Sequence, residues 1–377
     1  MLKVSSLFPI HCTDRAVSHA FFSLCKQWRG PEVQARMVVP SCEPSCRGSH
    51  IVEGVPPLLK WLFYQRADTP RIMAEKRFLR DLKNFDAAHI WPGISLETFK
   101  GAKKLDKPIF WERINCYTAK SKRILDEAYT RLGMHPQHEI TSDSIQQEEA
   151  EMSLADFIFG PSPEVRKSFQ EAGVPEHKII PTSYGWSPQL FPYTASDKPQ
   201  SEEVTVLFVG RVCVRKGVHL LLRAWEKSGV KGRLILFGTI EPAIAESCGD
   251  LLARSDVFHF EFSTNYAFAY READIFAFPS LEEGSPLVTY EAMAHGLPML
   301  MSPMGAGGIV REGIDGMILE PYDEDAWVEA LRKLASSPDL RTRFGASARQ
   351  WVEEFTWEKV AHRRAVSMLE KFGHSAD

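Results

Sequence analysis

The segment that most constrains this chain is the run Asp274-Ile275-Phe276-Ala277-Phe278-Pro279, which is followed by Gly284 and then by the helix-forming stretch Leu287 to His295. An apolar run without polar alternation suits a strand covered on both faces, the strand type of a parallel α/β sheet. Gly284 is expected to let the backbone turn sharply, and Gly296 with Pro298 to stop the helix. A strand, a glycine turn and a helix N-terminus in succession form an anion site, because free amides and the helix dipole point at one spot.

Two glutamates flank that site, Glu283 in the turn and Glu291 eight positions on in the helix. A ligand with a phosphate at one end and a diol at the other, such as a nucleoside diphosphate, meets both. Taken singly, the bland alternative is that Glu283 caps the helix and Glu291 is solvated.

A second strand-to-helix unit precedes the first. The β-rich run Val204-Thr205-Val206-Leu207-Phe208-Val209 ends in Gly210-Arg211, and Arg215-Lys216-Gly217 leads into an amphipathic helix from Val218 through Trp225. Arg211 and Lys216 therefore belong to one loop. The guanidinium can fork onto phosphate oxygens and the ammonium adds a point charge, although basic loop residues are often merely solvated.

Together these motifs resemble the family 4 glycosyltransferases of GT-B fold. The likeness runs through Phe208-Val209-Gly210-Arg211, Lys216-Gly217, Ala273 to Ser280, Glu283 to Glu291, Gly296-Leu297-Pro298 and the glycines between Gly305 and Gly316, and covers residues 204 to 365. It is thinner over Glu148 to Ile180, and residues 1 to 130 match in outline alone. The resemblance implies an α/β protein with two Rossmann-like domains facing each other across a cleft, and a C-terminal helix that crosses back to the first domain. It implies a nucleotide-sugar donor, retention of anomeric configuration and no metal or cofactor. Arg211, Lys216 and Glu283 would form the catalytic set, with Glu283 on the donor sugar, Glu291 on the ribose, and residues near Phe260 and Phe262 beside the base.

The chain departs from the family pattern in three places. Ser285-Pro286 follows Glu283-Gly284 where relatives often have Phe-Gly, and proline offers no N–H. The amides of Gly284, Ser285, Leu287 and Val288 are left as phosphate donors. The active-site histidine expected after a first-domain strand is missing from Pro108 to Asn115, so Glu112 or Arg113 takes its place, or His89 serves as a sugar or acceptor contact from the end of another strand; a structural histidine is the alternative there. The loop Pro9 to Arg15 contains no glycine, which alters acceptor handling.

Length and composition agree with two cores, since 377 residues at 44% hydrophobic content exceed what one core usually serves. The expected division is residues 1–190, residues 200–355 and a crossover helix in residues 356–377, with a proline-rich hinge near residues 187–203. No run of about 18 apolar residues or signal-peptide core is present, so a cytoplasmic location is expected. The seven cysteines are odd in number and scattered, a poor disulfide framework.

Net charge is −4, but residues 56 to 131 hold 16 Lys and Arg against 9 Asp and Glu. A basic patch from Lys60 to Lys83, with the aromatics Trp61, Phe63 and Tyr64, could rest on the inner face of a membrane. An amphipathic helix packed on its own domain is the favoured reading. Nucleic-acid binding has no motif behind it, and Asp323-Glu324-Asp325, a DxD match, reads as helix capping rather than metal binding. The expected function is thus sugar transfer from a nucleotide donor to a carbohydrate or lipid-linked acceptor hydroxyl. Alternatives are a nucleotide-sugar-binding subunit with little turnover, or a phosphorylase or epimerase on the same architecture.

Overall fold

The structure, a computed structural model, describes residues 1–14, 16–56, 65, 68–192, 203–261 and 267–374. Two parallel sheets organise it. The first contains β1 (Leu2–Leu7), β2 (Val33–Val39), β3 (Ile51–Glu53), β4 (Ala87–Ile90), β5 (Ile109–Glu112), β6 (Phe157–Gly160) and β7 (Ile179–Pro181), in the order β3-β2-β1-β4-β5-β6-β7. The second contains β8 (Val204–Val209), β9 (Gly232–Phe237), β10 (Val257–Phe260), β11 (Ile275–Phe278), β12 (Met299–Met301) and β13 (Gly316–Ile318), in the order β10-β9-β8-β11-β12-β13. This is the expected pair of Rossmann-like α/β domains.

The central strands of the second sheet are buried along their whole length, as suits strands covered by helices on both faces. All six residues of β8 and all four of β11 are buried. In each sheet the strand order reverses once, between β1 and β4 and between β8 and β11, and at such switch points the loops leaving adjacent strands diverge and open a crevice. The loops carrying Arg215-Lys216 and Glu283-Gly284 leave β8 and β11, so they share the second of these crevices.

The helix Val218–Ser228 starts at Gly217, whose φ is +67°; a Cβ there would lie 2.1 Å from the carbonyl oxygen of Pro279. A glycine is required at that crossing of the two loops.

The C-terminal helix Trp357–His374 crosses back as expected. It buries Val360, Ala361, Ala365 and Met368, and Trp28 of the first domain donates its indole N–H to the carbonyl of Ala361 at 2.9 Å. Beside the hinge, Trp186 N–H donates to the carbonyl of Phe355 at 3.0 Å and Trp357 N–H to that of Trp186 at 3.3 Å. The two chain crossings therefore run side by side. The hinge itself is described only to residue 192.

The basic patch resolves into ordinary helix packing where it is described. The helix Thr69–Leu82 buries Ala74, Phe78 and Leu82, while Arg71 pairs with Glu75, and Arg77 and Arg80 with Asp81. Lys60, Trp61, Leu62, Phe63, Tyr64 and Arg66 lie outside the described residues. All seven cysteines are free and buried. Asp323 caps the helix Glu324–Ser336 by accepting from Ala326 N–H at 3.1 Å.

Candidate active site

The crevice at the β8/β11 switch point holds a compact cluster of opposite charges. Lys216 Nζ lies 2.6 Å from Glu283 Oε1, and Arg215 Nη1 lies 3.1 Å from the same oxygen and 3.3 Å from Glu282 Oε2. The ammonium also sits 4.7 Å above the Phe278 ring, which fixes it against the end of β11. Glu283 is 7% exposed. Burial alone would push its carboxyl up, but Arg215 and Lys216 outweigh that and hold it below the usual range. Glu282 goes the other way: burial, with Glu283 beside it, raises it despite Arg215. Adjacent carboxyls are thus driven apart in acidity by which cations each faces.

Lys216 and Glu283 are brought together, but Arg211 is not part of that contact. Its side chain is 63% exposed, and its one ion pair among the described residues is with Glu241, at 3.9 Å. Arg215 occupies the position expected of it. The reason is the backbone: Leu281 N–H donates to the carbonyl of Arg215 at 2.9 Å, which clamps residue 215 onto the β11 loop, whereas Arg211 lies at the start of its loop beside Glu241. Arg215 and Glu282 are the residues missed by sequence reasoning. Their adjacency in sequence to Lys216 and Glu283 was the available signal.

The glycine between Glu283 and Ser285 is needed for a different reason from the turn expected. Gly284 has no positive φ; instead, a Cβ on it would lie 1.5 Å from the carbonyl oxygen of Ile114 in the first domain. The loop after β5 therefore presses its backbone onto the turn between β11 and the helix Leu287–Ala294. Around this contact Asn115 Nδ2 donates to Glu282 Oε2 at 3.3 Å, Ser121 Oγ to Glu282 Oε1 at 2.9 Å and Tyr129 Oη to Glu241 Oε1 at 3.0 Å. Two domains meet here through carboxylates of one and short polar groups of the other.

The helix Leu287–Ala294 begins with Pro286 as its N-cap. Leu287 and Val288 are its first two residues, and N–H groups at those positions have no partner four residues back within the helix. Ser285 Oγ is 2.7 Å from Tyr290 Oη, which accepts from Tyr184 N–H of the hinge at 3.1 Å. The Ser285 hydroxyl is thereby engaged with its own helix. Glu291 is 7% exposed and accepts from Tyr270 Oη at 2.7 Å, and six of the eight residues of this helix are buried. It is a core helix with one carboxylate at its inner end. Phe260 ends β10 on the same rim; Phe262 lies outside the described residues.

In the first domain the expected cleft contacts turn out to be core. His89 is fully buried, with Nδ1 2.7 Å from Ser6 Oγ and Nε2 3.3 Å from Glu112 Oε2. Burial holds its imidazole below the ordinary range despite the neighbouring carboxylate. Glu112 is fully buried too, and it accepts from Arg364 Nη1 of the C-terminal helix at 2.7 Å and from Tyr184 Oη at 3.1 Å. Its carboxyl stays low because Arg364 and His89 overcome the cost of burial. Arg113 pairs with Glu148 and lies 4.4 Å over the Trp111 ring. None of the three side chains faces the cleft: His89 sits within β4 and Glu112 is the last residue of β5, where side chains point into the layers above and below the sheet. Asn115 and the Ile114 backbone are what this domain presents instead.

Comparison with known proteins agrees with this geometry. Residues 203–337 match the family model described as glycosyl transferases group 1. The D-inositol 3-phosphate glycosyltransferase of Xylanimonas cellulosilytica is 31% identical over 169 residues, 41% of this chain and 40% of that protein. The enzyme of the same name from Rhodococcus erythropolis is 29% identical over 175 residues, 42% of this chain and 39% of that one. The matches thus span about two fifths of these relatives. Among solved structures, sucrose-phosphate synthase from Thermosynechococcus elongatus superposes with a TM-score of 0.73 at 18% identity over the whole of both chains. Anabaena Alr3699/HepE, solved with UDP and glucose, gives 0.69 at 12% identity over 98% of this chain and all of that one. At these identities the likeness establishes the GT-B fold.

Proposed function

We propose, from the match of residues 203–337 to the model of the group 1 glycosyl transferases, that the chain transfers a sugar from a nucleotide-sugar donor to an acceptor hydroxyl with retention of configuration. The observation that carries this reading is the Arg215-Lys216 pair set against Glu283 at the β8/β11 switch point, just before the helix Leu287–Ala294 that carries buried Glu291.

Such a reaction breaks the bond between the anomeric carbon and the diphosphate, and the catalyst must stabilise charge growing on the leaving oxygen. Lys216 with the Leu287 and Val288 amides supplies donors that need no reorganisation, each worth about 3 kcal/mol when well placed. Exposed Arg211 is free to swing onto the outer phosphate. Glu283 holds Lys216 in place before the donor arrives, then offers its carboxylate to sugar hydroxyls. Glu291 accepts from the ribose diol. Retention requires the acceptor to approach from the side of the leaving group, with the diphosphate taking its proton, and no first-domain base is called for. That suits a domain whose His89 and Glu112 are locked in a core network.

The acceptor is proposed as a carbohydrate or lipid-linked hydroxyl, and the location as cytoplasmic, with membrane contact through the first domain as an added possibility of the lipid-linked case. Among the described residues no helix is long and apolar enough to cross a membrane.

A donor screen tests the reading. UDP, GDP and ADP are titrated into the protein by calorimetry, and the tightest nucleotide's sugar conjugates are assayed with candidate acceptors. Lys216→Ala is expected to weaken diphosphate binding at least tenfold and to lower kcat further, whereas unchanged affinity removes the assignment. A second reading, a nucleotide-sugar-binding subunit with little turnover, is favoured by the Ile114 carbonyl lying against Gly284. Tight nucleotide binding with no transfer to any acceptor selects it.

A further inference from the structure

A groove of about 820 Å³ lies where the two domains and the C-terminal helix meet, away from the Lys216–Glu283 cluster. Its walls include Arg166 and Ser183 of the first domain, Gly307 and Gly308 from the loop after β12, and Arg363 and Arg364 of the C-terminal helix. We infer that this groove is a second binding site, for a phosphate-class anion, distinct from the donor crevice.

Three observations point there. Arg364 is 1% exposed and spends Nη1 on Glu112 and Nη2 on the carbonyl of Ser183, yet its Nε is buried without a hydrogen-bond partner. Native interiors seldom leave a charged group's donor unmade, since each such orphan is costly. Arg166, half-buried on the facing wall, has no ion pair among the described residues, and burial pulls its guanidinium below the ordinary range. Arg363, exposed at the edge of the groove, stands with its guanidinium 5.6 Å from the Phe355 ring.

The acids on the same walls compensate these charges in part. Glu354 is bonded to Lys359 at 2.9 Å and feels Arg363 more weakly, and Glu370 is exposed at the rim, so Arg166 is left without an acid among the described residues. Guanidinium groups on opposite walls select a tetrahedral oxyanion, because each can fork onto two of its oxygens. A neutral sugar would leave those charges uncompensated.

The position of the groove gives its occupancy a consequence. Gly307 is packed so closely against the donor turn that a Cβ there would lie 3.4 Å from Ser285 Cα. The groove and the donor crevice are thus two sides of one thin wall, and an anion held by Arg166 and Arg363 ties the first domain to the crossover helix behind it.

Calorimetry on the full chain carrying Lys216→Ala, which removes the donor crevice's ammonium, tests the site. Inorganic phosphate and a hexose 6-phosphate are titrated separately at low ionic strength. Saturable binding of at least one probe is expected, weakened about tenfold by Arg166→Gln and by Arg363→Gln with the melting temperature unchanged. Because the two arginines sit on different helices, Pro163–Glu171 and Trp357–His374, misfolding of one variant leaves the other as a test. Equal affinity for the two probes identifies free phosphate as the occupant, and tighter hexose 6-phosphate binding identifies a phosphorylated sugar. Affinity unaltered in both variants, or no saturable binding of either probe, overturns the site.

Discussion

Lys216 and Glu283 were legible as a pair because each follows an apolar strand and precedes a helix, so the parallel topology had to bring their loops to one crevice. Arg215 was not separable from Arg211 by that logic. Which of two arginines in one loop turns inward follows from long-range hydrogen bonds onto the Arg215 carbonyl, from Leu281 N–H at 2.9 Å and Glu282 N–H at 3.4 Å. His89 stayed open between two readings for a similar reason: a histidine in an apolar strand reads the same whether it points to the cleft or to a buried partner, and the structure gives the second. Another histidine offers a direct test. His219, 2% exposed with Nδ1 unpartnered, has its imidazole pushed down to about 4 by burial, from an ordinary 6.5. A depressed value means that the unfolded chain takes up the proton first, so stability is full above pH 6.5 and falls as pH drops towards 4. The loss between pH 7 and pH 5 attributable to this group is about 2 kcal/mol. His219→Leu should flatten that limb by the same amount in denaturant titrations at the two pH values.

At the scale of elements, the two strand-to-helix units read in the second domain, Val204 to Trp225 and Asp274 to His295, match the structure to within a few residues, since their apolar runs are continuous and their glycines mark the turns. The C-terminal helix was placed by resemblance, and its anchor was invisible to pattern because Glu112 and Arg364 are 252 residues apart. That ion pair is enclosed on all sides, with Tyr184 and His89 bonded to the same carboxylate. Removing one partner strands the other charge, so Arg364→Met should cost about 3–5 kcal/mol, measured as a lowered denaturant midpoint. Glu112→Leu added to Arg364→Met should recover a large part of that loss, because well-packed apolar groups replace a buried pair at little cost. A double variant no more stable than the single one would show that the helix is held by its apolar face alone.

The whole molecule depends on contacts that link the domains, and these were the least legible, since a one-dimensional pattern does not say which loop of one lobe meets which turn of the other. The glycine at position 284 was recognised and its purpose was not: it makes room for the Ile114 carbonyl rather than for a turn. Gly284→Ala should force the lobes apart, lowering kcat/KM for the proposed transfer about a hundredfold, as a misplacement of about 1 Å can. Small-angle scattering should show a larger radius of gyration with unchanged circular dichroism; an unaltered scattering profile would mean that the contact yields locally. The crossover helix carries a different lesson for anyone wishing to cut this molecule up. Trp28 bonds to Ala361 and Lys371 Nζ to the carbonyl of His177, so the tail of the polypeptide is a structural part of the lobe where the polypeptide begins. An isolated N-terminal fragment would expose the seat of that helix and tend to clump, and supplying the missing segment as a separate peptide is the way to make it behave.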